Sequence, residues 1–366
     1  MIRAVSGSRD ALKVLHVVES FGAGTRQVVR LIAGRLVEEG HAAAIAFGTQ
    51  PETPREVGAG LDPRIELHPT PWVSRGPAAQ LHAVRALRRI AREFRPSVVH
   101  LHSSFAGAVG SAALGGRYRC IYTPHAYAFQ QAQLPRAVRT VFQLTEMAIA
   151  RRVALVGAVG HHEAALARTA ARAQRVTAIV NGIPELDHPV KPVGDRPGRP
   201  AVIAAGRAGP QRQPAATARI LAAVSDLADV TWVGGASRSD GGRSALAEAG
   251  VPVTGWLHPD EVAERLRGAT VYVHWSRWDG LSLGLLEALA YDVIVVASAI
   301  GPNEEVLGRE QTFRHEQEAI DFLRRLLSDG ALREQTRRRQ RTLATRYGAR
   351  RMTSEWLDAY QELAAR

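Results

Sequence analysis

The sequence predicts an α/β protein built of two doubly wound parallel-sheet domains of Rossmann type, facing each other across a deep cleft. Three observations predict it. The 366 residues exceed what one hydrophobic core usually serves. Apolar β-branched runs alternate with amphipathic helical stretches along the whole chain, as parallel βαβ units require. One proline- and glycine-rich break, Asp187–Pro200, divides the alternation into two series.

The first series opens with Leu12–Val18, a buried strand, followed by a helix over Thr25–Glu39 with Val28, Leu31, Ile32 and Leu36 on one face. Strands are expected at Ala42–Phe47, Arg64–Leu67, Ser97–Leu101, Cys120–Thr123, Ala154–Val159 and Thr177–Val180. The helices Ala78–Glu93 and Arg136–Arg151 lie among them. After the break, strands are expected at Ala201–Ala205, Val230–Val233, Val251–Thr254, Thr270–His274 and Val293–Ala297. Helices are expected at about Pro214–Leu227, Pro259–Arg267 and Leu283–Ala290, and the chain closes with Glu316–Leu327, Ala331–Tyr347 and Arg351–Ala365. The expected organisation is a flexible leader at 1–11, a first domain at 12–186, a linker at 187–200, a second domain at 201–348 and a C-terminal helix at 349–366.

Composition bounds the function. Cys120 is the single cysteine, so neither an intrachain disulfide nor a cysteine-based zinc site is possible, and a reducing cytoplasm is expected. No apolar run reaches the roughly 18 residues of a membrane span, and Met1–Asp10 has no apolar signal-peptide core. The net charge of +12 has two readings. Arginine is used almost to the exclusion of lysine, which fits a compositional bias; the charge also suits an anionic partner such as a membrane surface. No zinc-finger spacing or basic–aromatic platform is present, so nucleic acid is not an expected partner.

Three turns can bind phosphate. Gly22-Ala23-Gly24 joins the first strand to the first helix, where glycine allows close backbone approach and a helix N-terminus offers free N–H groups; Gln27 replaces the last glycine of the full dinucleotide fingerprint. The second series opens with Gly206-Arg207-Ala208-Gly209-Pro210-Gln211-Arg212, whose two guanidinium groups suit a diphosphate. The third is Asp279-Gly280-Leu281-Ser282-Leu283, which ends a strand and starts a helix. Glu287, about a turn further in, stands on an otherwise apolar helix and needs a donor partner such as ribose hydroxyls.

Together these stretches resemble the retaining glycosyltransferases of family 4, which have the GT-B fold. The family's E-x7-E element is similar to Asp279–Glu287, with Asp279 in place of the first Glu. Its G-R-x-x-x-x-K is similar to Gly206–Arg212, with Arg212 in place of Lys. Ile179–Ile183, Thr123-Pro124-His125, Val233-Gly234-Gly235, Gly255-Trp256 and Asn303-Glu304-Glu305-Val306 fit in the family's order, and Gly160 stands where Ser is usual.

The resemblance implies a metal-independent hexosyltransferase without a cofactor. The first domain would bind the acceptor, the second the nucleotide-sugar donor, UDP-linked in the first instance, and the C-terminal helix would pack back on the first domain. His125, Asp279, Arg207 and Arg212 would be catalytic. Gly22, Ala23, Gly24, Gly206, Gly234, Gly255, Trp256, Gly280, Leu281, Ser282, Leu283 and Glu287 would bind the donor. No Asp-x-Asp pair is present to hold a metal. The expected acceptor is a glycan or glycolipid of bacterial polysaccharide assembly. A basic helix with Arg85, Arg88, Arg89, Arg92 and Arg95 near Leu81, Leu87 and Ile90 would allow peripheral contact with an anionic membrane. The alternatives are a transferase acting on a soluble natural product, a sugar-nucleotide 2-epimerase of the same fold, and a non-enzymatic binder of anionic surfaces.

Overall fold

The computed structural model describes residues 11–50, 53–54, 56–185, 198–235 and 241–366. The expected leader, apart from residue 11, and the linker as far as residue 197 lie outside the described residues. The first domain runs β1 (Lys13–Val18), α1 (Ala23–Glu38), β2 (Ala42–Gly48), β3 (Glu66–Thr70), α2 (Pro77–Phe94), β4 (Val98–His102), α3 (Ser104–Leu114), β5 (Cys120–Thr123), α4 (Arg136–Arg152), β6 (Leu155–Ala158), α5 (His161–Thr169) and β7 (Val176–Ala178). The second runs β8 (Ala201–Ala205), α6 (Pro214–Ala222), β9 (Asp229–Val233), α7 (Gly242–Glu248), α8 (Pro259–Gly268), β10 (Val271–His274), α9 (Leu283–Ala290), β11 (Ile294–Ser298), α10 (Gly301–Leu307), β12 (Thr312–Phe313), α11 (Glu316–Ser328) and α12 (Gly330–Ala344). A last helix, α13, spans Ala349–Ala365.

Both sheets are parallel throughout. The first has the order β3-β2-β1-β4-β5-β6-β7 and the second β12-β11-β10-β8-β9. The strand order reverses between β1 and β4 in one sheet and between β8 and β10 in the other. At such reversals the loops leaving the carboxyl ends of two strands diverge and leave a crevice. Cys120, on β5, is buried in the first core, and burial pushes its thiol up to about 12.

Several elements differ from the sequence expectation for local reasons. Val251–Thr254 makes a single bridge, Val253 to Trp232, because Pro252 has no N–H to give and Gly250 and Gly255 flank it with left-handed backbones. The fifth strand is Thr312–Phe313 instead. Helix α3, SFAGAVGSAAL, is apolar all round and so carries no amphipathic period. It lies close against the sheet because Gly107 and Gly110 have no side chain: a Cβ there would come within 2.5 Å of Tyr122 and 2.4 Å of Leu101. The basic helix α2 buries Leu87 and Ile90 in its own domain, leaving Leu81 as its exposed large apolar residue, so its apolar face is not available to a membrane. Helix α4 shows three apolar side chains to solvent: Val138, Val141 and Leu144.

Helix α13 leaves the second domain and packs on the first. Tyr347 O accepts from Ile183 N and Ile183 O from Ala349 N, at 2.9 and 2.8 Å. Trp356 and Tyr360 are then buried beside β4 and β6, with the Trp356 ring 4.5 Å from that of His100. Gly157 makes this possible, since a Cβ at that position would lie 2.3 Å from the indole. Gly157→Ala therefore overpacks the seat of α13. Its expected cost is about 1–3 kcal/mol, seen as a lower urea midpoint by circular dichroism; an unchanged midpoint refutes this seat for the indole.

Candidate active site

The second-domain half of the site is built at its strand reversal. The loop after β8 carries Gly206, held at φ 123, then Arg207 with an exposed side chain, and a short 3-10 turn, Pro210–Arg212. The loop after β10 carries Asp279. Arg212 Nη1 joins the two loops: it donates to Asp279 Oδ2 at 2.5 Å and to Ser276 Oγ, and lies 3.1 Å from His274 Nε2. Asp279 Oδ1 accepts from Gly280 N at 3.0 Å and from Gln211 Nε2 at 3.2 Å. Burial alone would raise the Asp279 carboxyl; the Arg212 charge and the His274 hydrogen bond outweigh it and hold the group well below the usual carboxylate range. Burial and the same guanidinium keep His274 neutral at pH 7.

Beside this hub, the ends of β9 and the segment after Val253 form a glycine platform. Gly234, at φ 129, bridges Gly255, and a Cβ on it would lie 2.3 Å from the Gly206 carbonyl oxygen. The indole of Trp256, 69 % exposed, lies over Gly235, where a Cβ would meet its Nε1 at 2.4 Å. A flat aromatic face left this open beside the Gly206–Arg212 loop suits stacking by a planar base.

Helix α9 starts at Leu283. Its N-cap, Ser282, makes no side-chain capping bond, so the hydroxyl does not consume the helix's first N–H groups. Glu287, a turn in, accepts from Gln27 Nε2 of α1 at 2.9 Å, and burial raises its carboxyl above the usual value. Gly24, in the first glycine turn, faces the Leu283 side chain, 3.6 Å from where its Cβ would stand. Gly22 is the N-cap of α1, and Ala23 takes a left-handed φ of 46.

The first-domain half centres on the turn after β5. His125 and Ala126 both have left-handed backbones, φ 54 and 89, a strained arrangement for side-chain-bearing residues. Glu163 of α5 holds the turn by accepting from Ala126 N at 2.7 Å and Val159 N at 2.8 Å. Gly280 of the second domain packs against it, 3.1 Å from Val159 and 3.2 Å from Ala126 N as measured from a Cβ built there. Asn181 Nδ2 donates to Leu281 O at 2.9 Å, and Glu305 of α10 accepts from His161 N and His162 N, both at 2.8 Å, at the start of α5.

The structure thus brings the Asp279–Leu283 turn, Glu287, Arg212, Gly206, Gly24 and His125 into one contiguous region, with Gly234, Gly255 and Trp256 at its edge. Arg207 stands on the same loop. A cavity of about 430 Å³ between α6 and α7 contains none of the candidate acids, nor His125. No role in the site was predicted for Gln211, His102, Glu163 or Glu305. For His102 a signal existed, since V-V-H-L-H on a buried strand puts His100 and His102 on one face. No metal ligand was predicted, yet His16, His100 and His102 bring ring nitrogens within 4.8 Å of one another. Hydrogen bonds engage five of those six nitrogens: His16 Nδ1 with His102 Nε2, His102 Nδ1 with His125 Nε2, and both of His100 with Tyr360 and Thr123. That pattern suits a hydrogen-bonded array better than a ligand set.

With known proteins, residues 23–182 match the family described as glycosyl transferase 4-like domain, and residues 199–329 match glycosyl transferases group 1. Among solved structures, a sucrose-phosphate synthase from Thermosynechococcus elongatus superposes with a TM-score of 0.82 at 18 % identity, over 96 % of this chain and 99 % of that one. Anabaena HepE, solved with UDP and glucose, gives 0.76 at 15 %, over 95 % and 99 %. A UDP-forming trehalose-phosphate synthase from Burkholderia vietnamiensis gives 0.68 at 11 %, over 96 % and 100 %. At these identities the likeness speaks to the fold. No curated protein sequence matches the chain significantly.

The first domain also buries carboxyls. Burial pushes Glu146, which accepts from Ser104 Oγ and Tyr122 Oη at 2.6 and 2.8 Å, up to about 7, and Glu163 likewise. A folded-state value above the unfolded one gives stability that is present at low pH and lost as pH rises through about 7. Stability should therefore fall between about pH 5 and 8, and Glu146→Gln should remove roughly 1–3 kcal/mol of that fall. Urea titrations at both pH values measure it; an equal fall in the variant rules this account out.

Proposed function

The chain belongs to the family 4-like glycosyltransferases and has their GT-B fold, and from that premise we propose a retaining hexosyltransferase, independent of metal, that takes its sugar from a UDP-sugar and passes it to a lipid-linked or glycan acceptor. One observation carries the reading: across Gly280, the arginine–carboxylate hub of the second domain meets the His125 turn of the first. UDP is favoured because similar folds were solved with UDP, UDP-glucose or UDP-2-fluoro glucose.

In this reading the uridine stacks on Trp256, Glu287 accepts from the ribose hydroxyls in place of Gln27, and the diphosphate lies between the glycine turns and the start of α9. The bond from the anomeric carbon to the phosphate oxygen breaks, and negative charge grows on the leaving UDP. Arg212, Arg207 and the α9 N–H groups stabilise that charge. The acceptor hydroxyl attacks from the face the phosphate leaves, giving its proton to a phosphate oxygen, so configuration is kept. As the diphosphate draws on Arg212, Asp279 becomes available to the sugar hydroxyls. His125 meets the sugar from the first domain, and closure keeps water from the donor.

For the acceptor side, the chain from His125 leads into α4, whose exposed Val138, Val141 and Leu144 stand beside Arg136 and Arg139. Apolar side chains among arginines suit the interface of an anionic membrane that carries a lipid-linked acceptor.

Thermal-shift titration with UDP, GDP, ADP and dTDP should show selective stabilisation by UDP. Glu287→Ala should weaken UDP by roughly 1.5–3 kcal/mol, and stabilisation that survives unchanged counts against the assignment. Arg212→Ala should lower kcat about 10²–10³-fold. On vesicles containing phosphatidylglycerol, the double variant Val141→Asp, Leu144→Asp should sediment less than wild type; equal sedimentation excludes α4 as the contact.

A further inference from the structure

The array of histidines behind His125 has a direction. His125 Nε2 lies 3.0 Å from His102 Nδ1, and His102 Nε2 lies 3.0 Å from His16 Nδ1. The three rings come from the turn after β5, from β4 and from β1, and β4 lies between the other two strands in the sheet. At the inner end, His16 Nε2 is sealed from solvent and has no hydrogen-bond partner. At the outer end, His125 Nδ1 is hydrogen-bonded to no described protein group and is not among the sealed atoms. Burial lowers all three pKa values, so the rings are neutral at pH 7.

Each neutral ring carries one proton, so two hydrogen bonds in series allow two arrangements. In the first, every ring donates inward through Nε2. That leaves a bare N–H buried at His16 and a lone pair facing the cleft at His125. In the second, every ring donates outward through Nδ1. His16 then buries only a lone pair, and His125 offers an N–H to the cleft. A buried N–H without an acceptor is the rarer and costlier defect. The Tyr360 face does not stand in for that acceptor, since its ring centroid lies 6.3 Å from that of His16, too far for an imidazole N–H to reach.

We propose that His16 and His102 are positioning residues that set the tautomer of His125, so that its Nδ1 faces the cleft as a hydrogen-bond donor. The ligand class this serves is an oxygen acceptor, a hydroxyl of the transferred sugar or an oxygen of its phosphate. That last step rests on the functional reading above; the tautomer does not.

Long-range ¹H–¹⁵N correlation on the whole protein labelled with ¹⁵N-histidine reads each ring's tautomer. The expected spectrum shows His125, His102 and His16 protonated at Nδ1. Protonation of His125 at Nε2, or imidazole signals of metal coordination, overturns the proposal. Two nearly isosteric variants test transmission. In His16→Asn the amide nitrogen can stand where Nδ1 stood and donate to His102, so His125 keeps its Nδ1 proton. In His16→Asp an acceptor replaces that donor, both bonds reverse, and His125 moves its proton to Nε2. A His125 tautomer that ignores the Asp replacement also overturns the relay.

Titration with UDP and UDP-glucose separates the tautomer relay from the donor assignment. The extra affinity of UDP-glucose over UDP should persist in His16→Asn within about threefold and be lost in His16→Asp, with UDP itself binding equally. If the tautomer moves as stated while neither nucleotide binds wild type, the relay stands and the donor assignment fails.

Discussion

The partly buried pair of Arg212 and Asp279 is the interaction that links the parts of the site. It joins the loops that leave β8 and β10, which diverge at the strand reversal and have no ladder to hold them together. Either charge alone would be costly in such a place, since the two side chains are only 21 % and 11 % exposed and each would lose its counter-charge. The pairing therefore restricts both loops to one arrangement. Asp279 Oδ1 then orients Gly280 through its N–H, Gly280 meets the His125 turn, and Leu283 comes to rest on Gly24. The start of α9, the glycine turn of the first domain and the histidine are thus linked through this ion pair, with Arg277 N to Gln211 O at 2.9 Å supporting the same loops.

Much of this was legible in the sequence, for a definite reason. The βα alternation, the glycine turns and the Asp279–Glu287 run are local patterns, each written within a dozen residues. The unpredicted features are of another kind. The histidine array exists because β4 lies between β1 and β5, an adjacency that no single segment encodes. Glu163 was hidden among ordinary residues of a surface helix, and its role appears only when Ala126 and Val159 present their N–H groups to it. Gln27 looked like a defect in a glycine fingerprint and proves to be the residue that reaches Glu287. The two basic helices show the same limit: α2 and α4 both look amphipathic, but which apolar face is covered depends on the layers above the sheet.

Beside the apolar packing of Leu281 and Leu283, the seam between domains carries polar contacts of modest strength. Gln27 to Glu287, Asn181 to the Leu281 carbonyl, and Glu305 at the start of α5 each cross it. Glu305 is well chosen, since a carboxylate from one domain answers the exposed N–H groups and positive end of a helix in the other. Net worth per hydrogen bond is about 0.5–1.5 kcal/mol, rising to about 3 with a charge. A ligand with comparable bonds to offer can compete with such tethers, and relative domain motion is the ordinary expectation for contacts of this kind. Helix α13 is different: it seats Trp356 and Tyr360 in the first domain's core, so it ties the two domains by apolar burial that a polar ligand does not compete for.

Cys120 turns this architecture into an opportunity for spectroscopy. Its thiol is buried on β5 and pushed up to about 12, so it presents almost no thiolate to maleimide or iodoacetamide reagents near neutrality. The native chain is therefore already a background for site-selective labelling. A dye pair on cysteines introduced at exposed positions such as Thr140 in one lobe and Glu264 in the other would report separation molecule by molecule in solution, with no residue of the wild-type core to be replaced first.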